Sequence, residues 1–167
     1  MRVYLPSTVA GAARVLESGS IGPVPLTAFA VTDGLRAWYR DDDLESLEYA
    51  AMLQAARASL RLLGADPECA RLRVVFAADI PDAGVTIRDD LDLGVVRLAE
   101  TVPMRSIAAI HMDEVGAERV VALAAEAIDA ADLGEERAQA TVDDAEGFEL
   151  CWYATQELPD LIRSLGR

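Results

Sequence analysis

The sequence predicts an α+β (α/β two-layer) protein: a mixed sheet of about five strands covered by helices, ferredoxin-like or related, with the C-terminal helix packed on the core. Three observations point there. Short β-rich runs, RVYLP, TAFAVT and RVVFAAD, alternate with longer stretches whose apolar residues recur at helical spacing. Capping and turn residues stand between them. The length, 167 residues, suits a single domain over 1–167 that buries roughly two thirds of the surface its unfolded chain exposes.

RVYLP opens the chain as a strand, and Ser7 sits where an N-cap belongs ahead of a helix from Thr8 to Leu16. After the turn-rich SGSIGPVP, residues 28–31 read as a second strand, closed by Thr32 and Asp33 before a short helical LRAWY. The run Asp41, Asp42, Asp43 precedes the longest helix, Leu44 to Leu63, ended by Gly64. Acids at its start and Arg57 and Arg61 near its end complement the helix dipole. Val74, Val75 and Phe76 in succession mark a central strand buried on both faces. GVTIR reads as a short edge strand, and VVRLAETVP and SIAAIHMDE as two more. A helix over Glu114 to Ala131 stops at Gly134, GEERAQATVDDAEG is a solvated connection, and Glu146 to Leu165 is helical with a break at Pro159.

Composition sets the outer limits. With 52% hydrophobic and 26% charged residues the chain is that of a soluble globular protein. No apolar run reaches membrane-spanning length and the N-terminus carries no signal-peptide pattern, so the expected location is the cytoplasm. The net charge of −14 opposes binding to nucleic-acid backbones and anionic membranes, and suits a basic protein partner or none. Self-association as a homodimer is the other expected partnership. All 15 basic residues are arginine, and asparagine is absent as well, which points to a GC-rich genome. Cys69 and Cys151 form no CxxC and read as reduced, buried thiols in a reducing compartment.

The same absences narrow the chemistry. Without lysine there is no P-loop lysine and no Schiff-base catalysis; with one histidine there is no two-histidine metal motif; neither GxSxG nor GxGxxG occurs. No cofactor is expected. The alternative is Mg²⁺ or Mn²⁺ held by strand-end carboxylates Asp33, Asp79 and Asp113, which would converge if their strands were parallel neighbours. The simpler role for each is a helix cap or turn. His111, two residues before Asp113 and so on the same strand face, is the candidate general acid/base. Arg57, Arg61, Arg71 and Arg73 form a candidate phosphate cradle, with solvated charge as the simpler reading. The stretch LCWYATQEL, read as helix, makes Trp152, Tyr153, Gln156 and Glu157 candidate ligand-binding residues, against plain packing of a terminal helix.

MRVYLP, TAFAVT, LEYAAMLQAARASLRLL, RVVFAAD and DAADLG followed by ELCWYATQEL together resemble an uncharacterised family of small actinobacterial proteins, a domain of unknown function. The resemblance spans nearly the whole length and implies a source but no activity. The expected function is thus a cytoplasmic non-catalytic or regulatory interaction domain. The alternatives are a divalent-metal enzyme on a phosphorylated or polar small molecule, and a small-molecule sensor with a pocket near Trp152.

Overall fold

The structure, a computed structural model, describes residues 1–40 and 42–166, so Asp41 of the expected acidic helix start lies outside the described residues. Along the chain run β1 (Arg2–Ser7), α1 (Val9–Ser18), β2 (Ser20–Ile21), β3 (Leu26–Ala30), α2 (Asp33–Tyr39), α3 (Leu44–Ala65) and β4 (Val74–Asp79). There follow β5 (Val85–Ile87), β6 (Val95–Leu98), β7 (Val102–Pro103), β8 (Ile107–Met112), α4 (Glu118–Asp132), α5 (Glu136–Glu146), β9 (Cys151–Tyr153) and α6 (Leu158–Ser164). The class is α+β. Seven strands in the order β5-β6-β3-β1-β4-β8-β9 form the main sheet, and β2 pairs with β7 apart from it.

Every pairing in that sheet is antiparallel, which corrects the expected mixed sheet of five strands. GVTIR is found as the edge strand β5, as expected; the strand the sequence does not announce is the opposite edge, β9, whose three residues are too few to show alternation. Strand alternation feeds two cores. Val3 and Leu5 of β1 face α1 and α6, joining Val9, Ala12, Val15, Leu158 and Ile162. Tyr4 faces the other way, joining Phe29, Val75 and the α3 residues Leu47, Ala51 and Ala55. Helices therefore cover both faces, not the one face of a two-layer sandwich, and the C-terminal helix packs on the core as expected.

α3 outruns the sheet. Its second half carries Leu60 and Leu63 into a third cluster with Val121, Ala124 and Ile128 of α4 and Ala138 and Val142 of α5. Gly64 lies inside α3 instead of ending it: a Cβ there would stand 2.8 Å from the Ala125 carbonyl oxygen, so its absence lets α3 and α4 close up. Gly134 does end α4, at φ +89°. The expected solvated connection over 134–147 is mostly helix α5, whose buried face is built of Ala138, Val142 and Ala145. Thr8, not Ser7, caps α1; its hydroxyl accepts from the Gly11 N–H at 3.0 Å.

The largest revision concerns Glu146 to Leu165. They are not one broken helix: Cys151–Tyr153 is a strand on the edge of the sheet, with Trp152 opposite His111, and Pro159 stands in the first turn of α6, where its missing N–H costs nothing. Arg73 sets up that path. Its guanidinium, 2% exposed, donates to both oxygens of Asp113 at 2.8 and 2.7 Å and to the Phe148 carbonyl at 2.8 Å, pinning the loop that turns back into β9.

Candidate functional site

On β1, Arg2 and Tyr4 share the face that looks toward α3. On α3, Glu45, Glu48, Tyr49 and Met52 fall at i, i+3, i+4 and i+7, one stripe of the helix. On β8 and β9, His111 and Trp152 are directly paired. These three sets enclose a cleft of about 300 Å³ between the first half of α3 and the sheet. Alanines make the room: Ala109 lines it, and Ala77 lies opposite both Tyr4 and Ala109 in the ladder. Trp152 stands at its rim with 62% of its surface exposed.

The charges in the cleft are unevenly matched. Arg2 is held by Asp79 in a two-point bond, 2.7 and 3.1 Å, which also holds the Asp79 carboxyl below the usual range. Burial, and then the Arg2 charge, push the His111 pKa below its ordinary value, favouring neutral imidazole. Tyr4 is pushed up to about 12, chiefly by burial and then by Glu48, whose carboxylate accepts from the phenol at 3.3 Å. Glu45 and Glu48 enter no ion pair among the described residues. The lining thus offers aromatic rings, hydrogen-bonding tips and the carboxylates of Glu45 and Glu48, and contains no serine, cysteine or lysine.

Of the residues singled out from sequence, His111 and Trp152 come together here and the rest do not. Tyr153 turns to the opposite face and packs against the α1 and α6 core. Gln156 lines a separate depression with Met104 and Pro159, and Glu157 accepts the Ala154 N–H at 2.7 Å. Nor do the three aspartates converge. Because β4 and β8 are antiparallel, their C-terminal ends lie at opposite ends of the sheet: Asp79 pairs with Arg2, and Asp113 with Arg73. Asp33 begins α2, where Thr32 is the cap. Among the described residues no three His, Cys, Asp or Glu side chains are grouped to hold a metal ion. Asp113 commits both oxygens to Arg73, so it does not serve His111 as the expected partner.

The arginine cradle also dissolves. Arg57 and Arg61 both bind Asp132, Arg71 donates to the carbonyls of Leu63, Asp66 and Cys69, and Arg73 is buried with Asp113. Both cysteines are free; Cys69 is buried, and the Cys151 thiol donates to Glu114 at 3.3 Å. A larger hollow of about 830 Å³ lies by the start of α1 and the Gly22–Pro25 loop. It contains no histidine and no aromatic ring, and its Thr8 hydroxyl is already used as the helix cap.

The model of a family of unknown function, DUF6912, matches residues 1–162. The chain belongs to this family. The DUF6912 match takes in every residue of the cleft, from Arg2 on β1 to Trp152 on β9. No curated protein and no solved structure matches the chain. No helix among the described residues is long and apolar enough to cross a membrane.

Proposed function

We propose that this DUF6912 protein is a non-catalytic, small-molecule-binding domain whose ligand site is the cleft beside Trp152. One observation carries the reading: a tryptophan is left 62% exposed at the rim of a concave site, paired across the ladder with the chain's one histidine. An indole in water forgoes the large apolar burial that tryptophan ordinarily contributes, and a ligand stacked on it would recover that area. Pre-formed pockets with a few convergent polar groups are the usual form of small-molecule sites, and about 300 Å³ is at the small end of their range.

The test is tryptophan fluorescence in a Trp38→Phe background. Trp38 is 71% exposed on α2, so this change touches no core and leaves Trp152 as the reporter. A panel of polar metabolites should contain compounds that quench or shift the emission saturably, and Trp152→Ala should abolish their binding measured by calorimetry. Emission unchanged by every compound, with the fold intact by circular dichroism, would overturn the reading.

A further inference from the structure

Resting on the cleft as the ligand site, we infer that its ligand class is a small organic cation: an amine, guanidine or quaternary ammonium group on a compact apolar body. Charge comes first. Arg2 is the cationic side chain of the lining, and Asp79 already holds it in a two-point bond. That leaves the carboxylates of Glu45 and Glu48, one helical turn apart on α3 and facing the same space. An anionic ligand would meet both carboxylates with only Arg2, already bonded to Asp79, to offset them; a cationic one would be their counter-charge.

The rings give the second argument. Tyr4 and Tyr49 face the cleft from β1 and α3, and Trp152 from β9, so aromatic groups border it on three different elements. Aromatic faces carry negative charge density and attract cations, tryptophan most strongly, and several rings around one site suit ammonium groups too large to be caught by a single carboxylate. Met52 and Ala109 complete the lining with apolar surface for the body of the ligand. The Tyr4 phenol donates to the half-buried Glu48, while Glu45 is exposed. A ligand that placed its charged nitrogen between them would lay its apolar part along Trp152.

Direct comparison of matched probes decides the matter. Benzyltrimethylammonium, benzyl alcohol and benzoate share a ring and differ in charge, and each is titrated against the Trp38→Phe protein with Trp152 as reporter. The ammonium probe should bind at least about tenfold more tightly than either of the others, and Glu48→Gln should remove most of that advantage. Glu45→Gln is the companion variant, because Glu45 is exposed and its replacement does not threaten the fold. Affinity for benzyl alcohol should change little in both. Equal or tighter binding of benzoate or benzyl alcohol, or a preference that survives both substitutions, would overturn the cation assignment while leaving the cleft as a ligand site. If none of the three probes perturbs Trp152, the assignment falls; if the metabolite panel also fails, the ligand-site reading falls with it.

Discussion

Asp113→Asn isolates the buried charge pair that organises one end of the sheet. In the native protein Asp113 accepts three hydrogen bonds from Arg73, from the backbone N–H and Nε on one oxygen (both 2.8 Å) and from Nη2 on the other (2.7 Å). An asparagine of the same shape keeps one acceptor and sets an NH₂ group against Nη2, donor facing donor. It also strips the counter-charge from a guanidinium that is 2% exposed. Removing one partner of a buried pair costs about 3–5 kcal/mol, mostly because the other charge is left stranded. At this chain length that lowers the melting temperature by roughly 6–20 °C. In urea, with a slope of about 2 kcal/mol per molar, the midpoint falls by about 2 M. Arg73→Met and the double variant close a cycle, and the summed single losses should exceed the double loss by about 2 kcal/mol or more. A loss under about 1 kcal/mol for Asp113→Asn, or additive singles, would refute the argument that the pair acts as one buried unit.

Three further outcomes are expected. His111 holds its proton less firmly in the fold than in the unfolded chain, where the ordinary value is 6.5, so its neutrality contributes stability above that pH that is lost as the pH falls from there toward the depressed value; urea unfolding from about pH 8 to about pH 5 should reveal a slope that His111→Gln reduces. Gly64→Ala should destabilise by about 1–2 kcal/mol in urea unfolding, although alanine is the better helix former by about 1 kcal/mol, because the new Cβ meets the Ala125 carbonyl oxygen at 2.8 Å; a stabilised variant would mean that α3 and α4 are not so closely packed. Asp89→Ala should cost about 1–3 kcal/mol, since that carboxylate accepts from the Thr32 hydroxyl, the Gly34 N–H and the Gly94 N–H and so ties the β5–β6 loop to the start of α2; amide exchange at Gly34 and Gly94 should accelerate in the same variant.

How far the sequence could be read depended on the length of each periodic signal. α3 was legible because 22 residues repeat the helical spacing and its flanking charges agree with the dipole. Cys151–Tyr153 was not. Three residues cannot display alternation, and Cys151, Thr155 and Leu158 also satisfy helical spacing, so the longer and wrong pattern prevailed. α5 was hidden for a different reason: its buried stripe is two alanines and a valine among acids, enough to pack on α4 but too weak to read as an apolar face. Half of the cleft could have been found. Arg2 and Tyr4 alternate with Val3 and Leu5, and Glu45, Glu48, Tyr49 and Met52 share one helical stripe, but only the antiparallel order of β1, β4, β8 and β9 joins those faces to His111 and Trp152. Pairing order is a long-range property that no local spacing encodes.

The two outer strands of the sheet carry a consequence for behaviour at high concentration. An unclosed sheet presents a row of unsatisfied peptide groups along each border, a template onto which another molecule can stack. Here both borders, β5 and β9, are only three residues long, so a neighbour could recruit little backbone from either. Trp152 on one and Ile87 on the other stay in water without the extended partner surface that fibril growth requires. With mutual repulsion from a net charge of −14, this sheet can leave apolar side chains in the open and still resist edge-to-edge assembly.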